Sequence, residues 1–356
     1  MGPKIIVLEK VSGWEAFDLV LKCIFIGIWQ IIKISLNKMW KGHRRKSSKD
    51  SSPVELTVDS SIGTHCYIKL MGTKYHYVET GPKSGQKVII LNDAPDVGNL
   101  WSPNWANVVR TLAEMDHHVI TLDLRGTGGS EGGGRKDLSP PRVVAELFTL
   151  MEALGVTESK PAIVIGFGIG GMITWYLVHC HDRLIRKFAV IGATHPNYYW
   201  QYPPAPFSYE TLHFIQWPHW PEKWLAEGNL QSEHSFKDTT RACDWTGALH
   251  YVRGAAWCKI RADHHVMAPA LLIGAKDNAA KLVSSAHYCL RPTLRMVSKP
   301  SPEDRQVSAM ILGFLIEKPK PTIEEGPKTL MSRMLGAVAG RGRELTARLV
   351  LPPTNA

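Results

Sequence analysis

Ile163-Val164-Ile165-Gly166-Phe167-Gly168-Ile169-Gly170-Gly171-Met172 is the stretch that decides the fold. Its first residues are apolar and β-branched, which suits a strand buried on both faces, and Met172 to His179 continues with helical periodicity. A chain that passes from strand to helix across so few residues needs small side chains two before and two after the centre. Gly166 and Gly170 meet that demand, so the turn has the form of a nucleophile elbow. The central residue is Gly168, which carries no side chain. The same run fits G-x-G-x-x-G loosely. However, it follows several strand-helix units, and Asp182 precedes a strand instead of ending one, so no dinucleotide cofactor is expected.

Working outward, Val88–Leu91, His118–Leu122, Ala162–Ile165, Phe188–Ile191 and Ala270–Ile273 are short apolar runs of strand length, and Val143–Leu154 has helical spacing. Strands alternating with helices predict an α/β fold with a mostly parallel sheet covered on both faces. Tyr198 to Asp263 breaks the alternation and holds six of the twelve Trp. It reads as a helical subdomain inserted between two strands. The expected organisation is an anchor and basic linker over 1–50, core over 51–197 and 269–316, a cap over 198–268, and a Pro-rich basic tail over 317–356.

The 356 residues are 44% hydrophobic and 21% charged, enough to bury a large core and incompatible with a disordered chain. The net charge of +10 sits at the ends: +6 within residues 1–50 and +3 within 317–356, leaving +1 on the body. A nucleic-acid-binding fold would carry its basic stripe on the body, so none is expected, and the termini point instead to an acidic surface such as a membrane. The six cysteines are scattered without C-x-x-C pairs, so neither a metal site nor a disulfide framework is expected, and a reducing compartment is.

Ala16 to Leu36 is an apolar run of about the ~20 residues a bilayer crossing needs. Asp18, Lys22, Gln30, Lys33 and Asn37 interrupt it within an arc of roughly 120°, so the helix either lies in the interface or spans with its lysines snorkelling. It lacks the cleavage site of a removable signal. Lys38, Lys41, Arg44, Arg45, Lys46 and Lys49 follow and predict a body facing the cytosol. The bland alternative is an amphipathic helix packed on the domain. Beyond Pro319, Pro321 and Pro327, Thr329 to Val350 reads as a second amphipathic helix or a loose tail.

Tyr75–Gly81, Leu122–Ser130, the elbow with Gly171–Leu177, Ala193–Pro196 and Gln216–Glu222 together resemble the signposts of the α/β-hydrolase epoxide hydrolases, in order across about residues 65 to 315. The membrane-anchored branch is the most similar. The resemblance implies an eight-stranded, mostly parallel sheet with a helical cap. It also implies an elbow Asp that attacks the epoxide, a His oriented by a second acid that activates water, backbone amides that hold the oxyanion, and cap tyrosines that protonate the opening ring.

Those implied parts are largely missing. Gly168 replaces the nucleophile between Phe167 and Ile169. The oxyanion strand end is Asn92-Asp93-Ala94-Pro95, where Asp93 sets a carboxylate against a developing negative charge. The acid position falls on Asn278, or on Asp277 if the alignment shifts by one. The loop that should hold the base, Ser298 to Asp304, contains no histidine. Tyr209 is the candidate first cap tyrosine; the second cannot be aligned around Arg241 to Gly247. Asn92, Asp93, Pro95, Phe167, Gly168, Ile169, Tyr209 and Trp217 are the expected ligand-binding residues.

The sequence therefore predicts a catalytically inactive, membrane-anchored homologue on the endoplasmic reticulum, binding a small apolar or lipid-derived ligand or a protein partner. The alternative is a hydrolase working through Asp93 with His195, His213 or His219. A further alternative is a collapsed pocket, with bulky side chains filling the space above Gly168.

Overall fold

The computed structural model describes residues 7–41, 62–93, 105–204, 207–226 and 242–316. The chain divides into a unit over Met1–Glu317 and a second over Lys318–Ala356, which lies wholly outside the described residues together with the helix expected at Thr329–Val350. Most of the basic run that follows the N-terminal helix and Pro95 are also outside them.

The central sheet has eight strands in the order β10-β9-β7-β6-β4-β5-β3-β2. These are β2 (Thr64–Leu70), β3 (Thr73–Thr80), β4 (Gln86–Leu91), β5 (His117–Leu122), β6 (Ala162–Phe167), β7 (Ile185–Ile191), β9 (Ala270–Ala275) and β10 (Pro292–Val297). All neighbours are parallel except the pairs β2/β3 and β3/β5. The five apolar runs are the five strands β4, β5, β6, β7 and β9, in which parallel pairing buries both faces and alternation is lost.

One face is covered by α3 (Pro140–Ala153), α4 (Ile169–Cys180) and α8 (Ala279–Ala286), and the other by α2 (Ala106–Glu114) and α9 (Arg305–Ile316). Helix α4 is buried over every residue from Ile169 to His179, because the cap lies on the side that the sheet does not cover. The cap comprises α5 (Tyr209–Phe214), α6 (Trp220–Ala226) and α7 (Ala242–Ala256), followed by the short strand β8 (Cys258–Ile260). Tyr176 on α4 donates its hydroxyl hydrogen to the Cys258 carbonyl at 2.7 Å, and the Trp200 indole donates to Ala256 at 2.7 Å, tying cap to core. Buried Arg253 links three pieces of the cap, pairing with Glu222 at 2.7 Å and donating to the Trp217 carbonyl at 2.6 Å.

The N-terminal helix α1 runs Gly13–Lys41, longer at both ends than the apolar run, and packs along one stripe on α5. Ahead of it, β1 (Leu8–Lys10) pairs antiparallel with β8. The glycine-rich segment Gly126–Gly134 is tied back on itself and to the cap: Gly126 N–H donates to the Glu131 carbonyl, Gly129 N–H to the Asp123 carboxylate, and Gly247 of α7 closes over Gly126.

At the carboxyl end of α4 lies a chain of imidazoles. His195 and His179 share a hydrogen bond at 3.2 Å, and His179 shares another with His264 at 2.9 Å. Burial, then the charges of His264 and His265, lowers the His179 pKa to about 3. Its unfolded value is near 6.5. The unfolded chain therefore takes up this proton first, and the stability that neutral His179 contributes is complete above pH 6.5 and lost as pH falls toward 3. Between pH 6.5 and 5 the loss should reach on the order of 2 kcal/mol. Urea titrations at the two pH values should show it, and His179→Gln should flatten the slope.

Candidate functional site at the elbow

The parallel register that sets Leu91 opposite Gly166 carries two residues further, bringing Asp93 against Gly168. Gly168 joins β6 to α4 with φ +55°, a backbone that L side chains adopt only under strain. Gly170 has no room for a Cβ, which would overlap the Leu91 and Asn92 carbonyls. The sharp turn thus needs glycine both for its backbone angle and for its space.

Asp93 fills the space over Gly168. A Cβ built on Gly168 would overlap all three carboxylate atoms, and Asp93 Oδ1 accepts a hydrogen bond from the Ile169 N–H at 2.9 Å. That amide is the first of α4, so the carboxylate sits where the helix dipole favours negative charge. The position that would receive a developing oxyanion already holds an anion. Tyr199 is fully buried close by; burial, then the Asp93 charge, raises its pKa well above the usual phenol value.

Above this floor is a cavity of about 290 Å³ at the carboxyl ends of β6 and β9, where open α/β sheets take ligands. Phe167, Ile273, Leu282 and Pro203 form its apolar wall. Asn278, Lys281, Ser298 and Lys299 supply polar groups, and burial lowers the pKa of the Lys281 ammonium. Among the described lining residues there is no imidazole. The space is not collapsed; the group directly over Gly168 is a carboxylate, not a bulky apolar side chain.

The expected residues divide. Asp93, Phe167 and Gly168 line the cavity; Asn92 and Ile169 stand at its floor without lining it, and Asn92 is buried. Of the two residues on the turn before α8, Asn278 lines the cavity and Asp277 does not. Trp217 and Tyr209 are absent from the lining. The Trp217 indole donates to the Cys23 carbonyl of α1 at 2.8 Å, and Tyr209 begins α5, the helix on which α1 packs. His195 is turned away from the cavity, stacked on Tyr288 at 3.8 Å, while its N–H donates to Ser285. His213 shares a hydrogen bond with the Tyr209 carbonyl, and His219 is exposed. None of these histidines lines the cavity with Asp93. Lys281 and Ser285, one helical turn apart on α8, escaped sequence reading; the apolar spacing of Leu282 and Ala286 around them was the available signal.

The comparisons with known proteins agree with this geometry. The α/β hydrolase fold family matches residues 88–232. Epoxide hydrolase 4 of Mus musculus is 25% identical over 273 residues, covering 68% of this chain and 74% of that protein. Epoxide hydrolase 3 of Xenopus tropicalis is 28% identical over 207 residues, 56% of this chain and 53% of its own length. The chain has the α/β hydrolase fold and is similar in sequence to epoxide hydrolases. The same fold is seen in the Cif epoxide hydrolase of Acinetobacter nosocomialis, at TM-score 0.61, 16% identity and coverage of 72% of this chain and 90% of the other. The epoxide hydrolase VrEH1 of Vigna radiata gives TM-score 0.56 at 16% identity, covering 71% of this chain and 98% of its own.

Gly168→Ala should lower stability by about 1–3 kcal/mol, through overlap with Asp93 and backbone strain together. Adding Asp93→Gly removes the overlap but not the strain. A double-mutant cycle by chemical denaturation should therefore give a favourable coupling of about 1 kcal/mol or more.

Proposed function

We propose that this epoxide hydrolase homologue is a membrane-associated protein that binds a small lipid-derived ligand above Gly168 without turning it over. The observation that carries the reading is the Asp93 carboxylate bonded to the Ile169 amide. Hydrolysis through a covalent ester needs an attacking oxygen at the elbow, free amides for the negative charge that develops, and a base to activate water in the second half. Gly168 offers no oxygen, the Ile169 amide is taken, and the described lining supplies ammonium groups and amides but no imidazole.

What remains suits binding. An apolar wall ending in Lys281, Lys299 and Asn278 fits a molecule with a hydrocarbon body and an anionic or hydroxylated end. Membrane association is supported by α1, whose most apolar 18-residue window is only 17% buried, and by the lysines and arginines from Lys38 to Lys49. These basic residues support a body on the cytosolic side of a membrane, which we assign to the endoplasmic reticulum.

Purified protein incubated with a panel of alkyl and aryl oxiranes and fatty-acyl esters should release no diol or acid above buffer. Turnover that Asp93→Asn abolishes would refute the reading. One observation favours a second reading: Asp93 occupies the space of an elbow side chain. Its carboxylate oxygen could attack an oxirane carbon, break the ring C–O bond, and leave an alkoxide that takes a proton from water. With no base to cleave it, the ester would stop at one equivalent. Intact-mass spectrometry after oxirane treatment distinguishes the two. An unchanged mass supports binding alone, while an added mass of one oxirane that Asp93→Asn prevents supports the trap.

A further inference from the structure

Helix α1 has two faces of opposite character. On one, Leu19 and Cys23 are buried, and Gly27 lies so close to the Trp217 ring that a Cβ there would overlap it. The contact is reinforced along its length. Trp217 donates to the Cys23 carbonyl at 2.8 Å, Gln30 donates to Glu210 at 2.6 Å, Lys259 pairs with Glu15, and β1 holds β8 with Leu8 opposite Ile260. On the other face Phe17, Leu21, Phe25, Ile28 and Ile32 are exposed by 36 to 68%. At 100° per residue they lie opposite the docked stripe. Trp14, Trp29 and Trp40 are exposed by 61 to 94%. Lys22 and Lys33 run along the edge between the two faces, and Lys38 begins the basic run at the carboxyl end.

By length alone the helix could cross a bilayer, since its 29 residues rise about 43 Å. Its contacts argue otherwise. A crossing would put Cys23 to Gln30 near the midplane, and these residues carry the cap. Glu210 and the Arg253–Glu222 pair, whose Arg253 holds the Trp217 carbonyl, would follow into hydrocarbon. Ionised groups at that depth are strongly disfavoured. With the helix axis parallel to the surface, the same contacts keep every cap charge on the aqueous side, and only the bare face enters the acyl boundary.

We infer that α1 is an in-plane membrane foot: its Phe17–Ile32 face is the docking surface for an anionic lipid bilayer, and the cap rides directly on its back. The occupant is a lipid surface because the exposed apolar face is bordered by lysines and followed by six Lys/Arg between Lys38 and Lys49, the pattern of interfacial helices on anionic leaflets. The inference rests on the membrane association proposed above and specifies its geometry: both ends of α1 stay on one side.

The chain contains no Asn-x-Ser/Thr sequence, so glycosylation can report topology without interference. The full chain should be translated with microsomes carrying one acceptor site, placed either ahead of Val7 or between residues 50 and 60. The expected result is salt-resistant sedimentation with the membranes and no glycosylation at either site. Sedimentation with one site glycosylated would mean a crossing helix and would overturn the in-plane geometry alone. Failure to sediment would overturn the membrane reading itself. In parallel, Phe25→Glu with Ile28→Glu should cut binding to phosphatidylserine-containing vesicles at least tenfold and leave the thermal midpoint unchanged, because both side chains are exposed on the face opposite the docked stripe. A chain that ignores vesicles but forms a dimer split by the same substitutions would assign the face to a second copy and refute the proposal.

Discussion

A strand that becomes a helix across a single residue leaves no room for side chains at that residue or two places to either side, and this steric constraint around Gly168 organises the molecule. It fixes how closely β4 and β6 run together, and their parallel register then delivers Asp93 onto the first amide of α4. It also aims α4 across the sheet with its outer side free for the cap, to which Tyr176 bonds. Floor, anion site and roof all follow from one tight turn.

The electrostatics of that turn run against the chemistry of its relatives. A helix N-terminus in a sheltered cleft attracts negative charge, and in a hydrolase the charge arrives with the reaction. In this chain it is built in, supplied by the neighbouring strand end. The carboxylate is stabilised as an acceptor, and Tyr199, whose pKa is raised first by burial and then by the Asp93 charge, stays a neutral phenol beside it. The lysines of α8 and of the loop after β10 then give the cavity a cationic side facing an acidic floor. A ligand with an anionic end therefore meets attraction on one wall and repulsion from the floor, which fixes the direction in which it would lie.

The core of the fold was legible because parallel strands buried on both faces must be written as unbroken apolar runs, as β4 to β7 and β9 are. The remaining strands of the sheet, β2, β3 and β10, were not legible from pattern: they are half-exposed or at an edge, and residues such as Lys69, Lys74 and Arg295 break their hydrophobicity. At the site, the loss of the elbow oxygen was plain from Gly168 itself. That Asp93 would refill the space was not, although both residues stand two places beyond paired strand positions. The aromatic cap residue Trp217 suggested a pocket wall, since nothing in its own neighbourhood shows that a helix nearly two hundred residues earlier covers it.

The pairing of the first strand with β8 sets a timetable for synthesis. The groups that cover the inner stripe of α1 come late: Glu210, Trp217 and Lys259 are separated from their partners by 180, 194 and 244 residues. At ribosomal speed that is a delay of roughly ten to fifty seconds, during which an apolar helix stands bare outside the exit tunnel. Whatever greets nascent apolar helices first, a targeting factor or a lipid surface, meets α1 before its own cap exists. The cap is thus assembled against a helix already made.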